Sequence, residues 1–282
     1  MSARPADESR RFYEDPVVYD TLLAPGTARE LDALYRVARR CTWPPARAPW
    51  LLAKASSPAA PRWLEPACGT GRLLRLAAAR GLRAIGFDRE PAMVAYAREA
   101  IVRRGLGRRA HVFHADLTDF ADAVAPASID FAFCTLNTLR HLPSDAALLA
   151  HLDQVARVLR RGAVYAVGLS LTRYGEEAPD EDVWTARRGG LQVTQLATYL
   201  PPDAAAGRAR RERVISHLVV TARGGEEHRD DAYDLRCYDE RQWEAVLRRS
   251  PLRRLESFAA DGQPLAGRVL PYQIEVLGPP TL

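Results

Sequence analysis

Between Arg62 and Ala77 the chain makes one turn that constrains its fold more than any other feature. Arg62-Trp63-Leu64 reads as a short strand, and Leu73, Leu74, Leu76 and Ala77 recur at helical spacing. Between them lies Glu65-Pro66-Ala67-Cys68-Gly69-Thr70-Gly71. The glycines therefore sit where a strand turns sharply into a helix and backbone has to approach a ligand without an intervening side chain. The following run, Arg83-Ala84-Ile85-Gly86-Phe87, is a second strand that delivers Asp88 to its carboxyl end. An acidic residue about 20 positions beyond such a turn is placed to accept hydrogen bonds from ribose hydroxyls. The pattern predicts a doubly wound α/β fold with a nucleoside-cofactor site.

A dinucleotide would call for a third glycine three residues after Gly71, where helix and strand pack closely beneath a pyrophosphate. That position is Leu74. Glu65 at the head of the loop would also lie close to a pyrophosphate, an unfavourable pairing. S-adenosylmethionine (SAM) carries positive sulfonium and ammonium groups and a ribose that donates twice, which suits an acidic loop on Coulombic grounds.

On these residues the chain resembles the class I SAM-dependent methyltransferases. The resemblance rests on Glu65–Arg72 for the glycine loop and Gly86-Phe87-Asp88-Arg89-Glu90-Pro91-Ala92-Met93 for the ribose strand and the next turn. His114-Ala115-Asp116-Leu117 matches the adenine contact, and Asp130-Phe131-Ala132-Phe133-Cys134 the fourth strand. It covers residues 60–170 well and continues more loosely to the C-terminus. It implies a cofactor set of Glu65, Ala67, Cys68, Gly69, Thr70, Gly71, Asp88, Arg89, Met93, Asp116, Leu117 and Cys134, with S-adenosylhomocysteine as product. Asp116 would accept from the adenine amine; the competing reading is an N-cap for the following turn. Met93 would pack on the adenine face or simply belong to the core.

Composition narrows the class further. A hydrophobic fraction of 47% suffices for a core, and no run of about 18 apolar residues suggests a membrane span. The N-terminal residues lack an apolar signal region, so a cytoplasmic location is expected. Cys41, Cys68, Cys134 and Cys237 are scattered without metal-ligand or redox spacing, and no metal site is expected. The net charge of +5 is carried almost wholly by arginine, Lys54 being the only lysine. Pairs such as Arg39-Arg40 and Arg103-Arg104 fall at helix ends, where they complement the helix dipole. Aromatic residues are not interleaved with them, which argues against a nucleic-acid partner.

Along the chain, residues 1–60 read as a helical N-terminal cap or lid. One helical piece is expected around Arg10–Tyr13, before Pro16, and a second at Ala28–Cys41; a proline-dense stretch through Pro61 follows. Residues 61–174 and 238–282 read as the cofactor-binding core with a mostly parallel seven-stranded, Rossmann-like sheet. Its expected elements include a helix from Ser144 to Arg160 and a fifth strand at Val164–Leu169. From 175 to 237 the rhythm changes. Gly190–Tyr199, Glu212–Ala222 and His228–Cys237 alternate apolar and polar residues between turns, which predicts antiparallel strands. This segment is expected as an inserted β subdomain over the substrate pocket, as the resemblance to small-molecule N- and O-methyltransferases implies. The helix Glu240–Arg249 returns to the core, and Leu252–Phe258 with Arg268–Val276 forms a final antiparallel pair.

For chemistry, the run from Cys134 to Leu142 lies where the transferable methyl group should point. Asn137 and His141, four apart, would share one side of a helical turn. His141 has a side chain suited to accepting a proton from an attacking amine or hydroxyl, or else packs the segment. His111 and His114 should face opposite sides of a strand. Tyr13 and Tyr19 lie in an aromatic-rich segment that the resemblance places over the cofactor's methionine end, where a tyrosine hydroxyl could bind that carboxylate or the substrate; lid packing is the alternative. Trp184, Tyr199, Tyr233, Arg236 and Tyr238 are pocket candidates. The expected activity is methyl transfer from SAM to nitrogen or oxygen of a small-molecule acceptor. The alternatives are an RNA or protein methyltransferase and a non-catalytic SAM-binding protein on the same fold.

Overall fold

The computed structural model describes residues 12–42 and 60–280. The expected cap residues 1–11, with the start of the first helical piece, and the proline-dense stretch 43–59 lie outside the described residues.

Two sheets form among the described residues. The larger has seven strands: β1 (Arg62–Pro66), β2 (Arg83–Asp88), β3 (Ala110–His114), β4 (Ile129–Cys134), β5 (Leu159–Leu169), β10 (Arg253–Phe258) and β11 (Gln273–Gly278). Their order is β10-β11-β5-β4-β1-β2-β3. β1 to β5 pair in parallel, whereas β11 runs antiparallel to both β5 and β10. The order reverses between β1 and β4, so the crevice at their carboxyl ends is the natural ligand position. The helices are α1 (Pro16–Leu23), α2 (Thr27–Cys41), α3 (Arg72–Ala79), α4 (Pro91–Arg103), α5 (Asp145–Val158) and α6 (Glu240–Leu247). One core cluster includes Leu148, Leu152 and Val155 of α5, Tyr165 of β5 and Trp243 of α6. Another joins Leu31 and Leu34 of α2 to Leu73, Ala77, Trp63, Phe131 and Phe133.

The second sheet is antiparallel, in the order β6-β7-β8-β9. Its strands are β6 (Asp180–Arg188), β7 (Leu191–Leu200), β8 (Arg211–Ala222) and β9 (Gly225–Arg236). Three of them correspond to the alternating runs. The fourth, β6, carries no alternation because only Ala186 in it is buried. A strand at a sheet edge can be solvated on both faces, and its sequence then loses the period-two signal.

The N-terminal segment corrects one expectation. Pro16 does not end a helix; it opens α1 at the first helical position, where its missing N–H costs nothing. Asp15 is the N-cap, its Oδ1 accepting from Val17 N and Val18 N at 3.2 Å each. A 3-10 turn, Phe12–Glu14, precedes it. Likewise α5 starts as expected, with Ser144 Oγ accepting from Ala147 N, but stops at Val158, and β5 begins at once with Leu159. Gly162, in the left-handed region at φ 77°, lets β5 begin ahead of its apolar run. The last strand begins at Gln273 instead of Arg268, because residues 265–272 form the loop leading into it.

α1 belongs as much to the second sheet as to the first. Phe12, Val18 and Leu22 share a buried cluster with Ala186, Val193, Leu218 and Val220. Ion pairs reinforce both attachments. Asp20, 4% exposed, meets Arg75 of α3 at 2.5 Å and Arg188 of β6 at 2.8 Å, and accepts from Tyr96 Oη at 2.9 Å. Asp15 meets Arg229 of β9 at 3.0 Å. A buried carboxylate needs such partners to remain charged. Burial alone would raise the Asp20 pKa, but Arg75, the hydroxyl donors and Arg188 together hold it below its usual range.

Candidate active site

The loop after β1 is shaped by three left-handed residues, Ala67 (φ 50°), Gly69 (φ 53°) and Gly71 (φ 68°). Asp88 ties this loop to β2. Gly69 N donates to its Oδ2 at 2.7 Å, and Glu90 N donates to its Oδ1 at 2.9 Å. An ionised carboxylate has about four lone-pair positions, so Asp88 retains acceptor capacity toward the cavity it lines. Burial raises its pKa, while these backbone donors oppose the rise.

Leu74, standing where a dinucleotide site would have its third glycine, projects toward β2. A Cβ on Gly86 would lie 2.6 Å from its Cδ1 and 2.9 Å from Cys68 Sγ. Here the strand supplies the glycine and the helix supplies the bulk. Glu65 is buried at the end of β1 and accepts from Leu74 N through Oε2 at 3.0 Å. Burial pushes its pKa up to about 8, with Arg72 opposing the rise and Glu30 adding to it.

The carboxyl ends of the parallel strands, α1 and the second sheet enclose one cavity of about 1350 Å³. On the core side Ala67, Gly69, Asp88, Arg89 and Met93 line it, followed by Asp116 and Leu117. Asp116 Oδ1 accepts from Thr118 N at 2.9 Å and Thr118 Oγ1 at 2.7 Å, so the turn-capping reading holds for that oxygen. Those bonds lower its pKa. Met93 is 1% exposed and borders the cavity from the core. Five residues of the expected cofactor set lie back from this space. Glu65, Cys68 and Cys134 border only a separate pocket of about 20 Å³, with Arg72 and Thr135. Thr70 and Gly71 are buried and line neither. The Cys134 thiol, buried in the core, is pushed up to about 12 by that burial.

Tyr19 of α1 covers the glycine loop: a Cβ on Gly69 would lie 3.1 Å from its ring. Tyr13, Phe12 and Tyr19 pack ring against ring. Tyr13 Oη lies 3.4 Å from His141 Nε2, and the His141 ring stacks on Tyr233 with centroids 5.3 Å apart. Burial depresses the His141 pKa to about 4, helped by the nearby Arg89 and Arg140, so its imidazole is neutral near pH 7. A neutral imidazole keeps a lone pair for a proton.

Asn137 and His141 do not share a helical face. Thr138–His141 is a 3-10 turn, and Asn137 precedes it in the left-handed region at φ 59°. Its side chain is committed to the residue that follows β5: Oδ1 accepts from Ser170 N at 2.7 Å and Nδ2 donates to Ser170 Oγ at 3.2 Å. Leu136, also left-handed at φ 57°, donates its N–H to Tyr272 Oη at 3.0 Å. Two consecutive non-glycine residues in this region store strain, which here aims the turn into the cavity.

The far wall comes from the second sheet, with Trp184, Gln195, Tyr199, Glu212 and Tyr233. Arg236, a pocket candidate, instead pairs with Asp145 at 2.8 Å, and Tyr238 is 1% exposed with its Oη accepting from Arg236. His111 and His114 lie on β3, and His114 Nε2 is 2.9 Å from Arg89 O. Sequence reasoning missed Glu30, which joins Arg72 at 2.6 Å to Thr135 Oγ1 at 2.7 Å, and also Tyr272. Neither sits in a local pattern; each engages partners remote from it in the chain.

Residues 64–162 match the protein-family model described as a methyltransferase domain. This region is similar to methyltransferase domains. Comparison with curated protein sequences gives no match. Among solved structures, the chain is similar to the sugar N-methyltransferase KedS8 from Streptoalloteichus sp ATCC 53650, with 20% identity and a TM-score of 0.67. That similarity covers 98% of this chain and 96% of the other. The CcbJ methyltransferase from Streptomyces caelestis is 17% identical over 97% and 100% of the two chains, with a TM-score of 0.66. SAM-bound CalS10, an amino pentose methyltransferase from Micromonospora echinaspora, is 20% identical over 79% and 85%, with a TM-score of 0.54. The chain thus has the fold of class I SAM-dependent methyltransferases, extended by a second, antiparallel sheet. No helix among its described residues is long and apolar enough to cross a membrane.

Proposed function

We propose that this chain transfers the methyl group of SAM to a nitrogen or oxygen of a small-molecule acceptor in the cytoplasm. The cavity carries the reading. Its volume of about 1350 Å³ exceeds the roughly 300–1,000 Å³ usual for one ligand, and it runs from Asp88 and the glycine loop to the second sheet. Such a space takes a cofactor and an acceptor end to end. The residues on the core side fit SAM: an acidic ribose partner, an open glycine loop, and the apolar Met93 and Leu117.

When bound, SAM supplies an electrophilic methyl group. Asp88 would hold the ribose, Met93, Leu117 and Asp116 would hold the adenine, and Arg89 borders the same site. Tyr19 and Tyr13, which line the cavity beside the glycine loop, would cover the methionine end and exclude water. His141 accepts the proton leaving the acceptor, and Asn137 fixes the turn that presents His141. The main contribution of these groups is alignment, since methyl transfer gains chiefly from proximity and in-line approach.

The far wall offers Glu212, Asp180 and Asp182 with aromatic faces from Trp184, Tyr199 and Tyr233. This lining suits a polar, hydroxyl- or amine-bearing acceptor, consistent with the sugar and amino pentose named for similar structures. Transfer from methyl-labelled SAM into a panel of free and nucleotide-linked amino and neutral sugars is expected, with none for Asp88→Ala. Thermal stabilisation by SAM with no labelled product from the sugar panel or a metabolite extract would favour the non-catalytic alternative. Salt-sensitive RNA binding with labelled RNA would favour the nucleic-acid one.

A further inference from the structure

The outward face of the β8–β9 hairpin, away from the cavity, carries a chain of five polar side chains. His217 stands directly opposite Asp230, and His228 belongs to the next pair on the same face, opposite Val219. His217 Nδ1 is 2.6 Å from Asp230 Oδ1, and His228 Nε2 is 2.9 Å from Glu226 Oε1. Thr221 Oγ1 donates to Glu226 Oε2 at 3.2 Å and fixes that carboxylate. Between the two imidazoles, His217 Nε2 and His228 Nδ1 face each other at 3.1 Å.

Each carboxylate only accepts, so each imidazole must turn its single N–H outward, His217 through Nδ1 and His228 through Nε2. The two facing nitrogens are then both lone pairs. Three contacts require three positive bridging atoms, and two neutral imidazoles supply two. The remaining position, between two nitrogen lone pairs, suits a cation. With metal–nitrogen bonds of ~2.05 Å, a 3.1 Å separation corresponds to an angle of about 98° at the metal, between the square and tetrahedral values. Metal-ligating histidines also typically donate their second nitrogen to a carboxylate, which fixes the tautomer and raises ligand basicity. Asp230 and Glu226 do this for both rings.

We propose that His217 and His228 form a two-nitrogen binding site for a divalent transition-metal ion of the Cu²⁺, Ni²⁺ or Zn²⁺ type. Among the described residues no group of three or more His, Cys, Asp and Glu side chains is placed to hold one ion, so water completes the coordination. Both histidines are partly exposed, with side chains 37% and 54% accessible, which gives the ion a path and the waters room. No sequence motif announces the site, because its ligands sit on different strands and meet only through the pairing of β8 with β9. A bound ion would clamp the hairpin whose opposite face presents Glu212 and Tyr233 to the cavity.

The test uses the full chain without an affinity tag, titrated calorimetrically with CuCl₂, NiCl₂ and ZnCl₂ in turn, alongside His217→Gln, His228→Gln and the double variant. One ion per chain is expected for at least one of these metals. Either single variant should lose tenfold or more in affinity, and Asp230→Asn or Glu226→Gln about tenfold, as for other carboxylate partners of metal-bound histidine. The Cu²⁺ complex should show two nitrogen ligands by electron paramagnetic resonance. Metal should raise the melting temperature of the wild type and not that of the double variant, while affinity for S-adenosylhomocysteine stays the same in both. Equal metal binding by the double variant, or none by the wild type, would overturn the proposal, the second result leaving a proton as the bridging cation.

Discussion

Replacing Gly86 with alanine tests how the helix after the glycine loop packs on the sheet. Gly86 is central in β2, paired with Glu65 of β1 and Val112 of β3, so the backbone has little room to retreat. The new Cβ would lie 2.6 Å from Leu74 Cδ1, 2.9 Å from Cys68 Sγ and 3.0 Å from Cys68 Cβ. Favourable carbon contacts begin near ~3.5 Å, so all three groups must move. Overpacking of this kind costs about 1–3 kcal/mol. At roughly 2–4 °C per kcal/mol for a large domain, Tm should fall by roughly 2–12 °C. Leu74→Ala alone creates a cavity and costs about 2–5 kcal/mol. Together the two changes should partly compensate, because the alanine methyl enters space the leucine leaves. The double variant should be more stable than the sum of the singles by about 1–2 kcal/mol, within the range of coupling between residues in contact. Urea denaturation of all four proteins closes the cycle. Gly107→Ala is the control, since its Cβ meets nothing within 4 Å, and it should stay within about 0.5 kcal/mol of the parent. Additivity within about 0.5 kcal/mol, or equal effects of Gly86→Ala and Gly107→Ala, would refute the reasoning.

Three further outcomes are expected. Glu65, raised to about 8 in the fold and near 4.5 when unfolded, stabilises fully only below pH 4.5, and that contribution is lost as pH rises to 8. Glu65→Gln should therefore gain stability relative to the parent between pH 5 and 8, by at most roughly 5 kcal/mol, and a pH-independent difference in urea midpoint would contradict this. His141, depressed to about 4, is neutral from pH 8 down to about 5, so any acid limb in methyl transfer from this group should centre near 4 instead of 6.5. A limb at 6.5 that disappears in His141→Gln would show that burial does not hold the ring neutral. Tyr272→Phe removes the acceptor for Leu136 N and should lower kcat/KM for the acceptor about tenfold, the worth of one net hydrogen bond. Calorimetric affinity for S-adenosylhomocysteine should change less than threefold; a larger loss would place Tyr272 with the cofactor.

Much of the fold is legible because its signals are local. The glycine loop, the strand ending in Asp88, the Ser144 cap and the alternating runs of β7 to β9 are each short, continuous pieces of chain. β6 leaves no such trace because its residues are solvated on both faces, and Pro16 is ambiguous because a helix-breaking residue is also a favoured helix opener. In the site, residue types are easier to read than their engagements. Asn137 lines the cavity, yet its amide is spent on Ser170, and the left-handed turn in which it sits has no glycine to announce it. Partners remote in sequence, such as Asp20 with Arg188 or Tyr272 with Leu136, have no periodic trace at all.

The shared cluster of α1 and the second sheet bears on how this fold can be re-engineered. Tyr19 rests on the glycine loop while Val18 and Leu22, its neighbours on the same helix, are buried against β6 to β8. The wall that would choose the acceptor and the wall that would hold the donor are consequently one piece. Grafting strands β6 to β9 from a relative with another acceptor would leave Phe12, Val18 and Leu22 facing an unmatched surface, and Asp15 and Asp20 without their arginines from that sheet. A functional chimera should transplant residues 12–23 together with the sheet, although α2 to α5 and β1 to β5 separate the two along the chain.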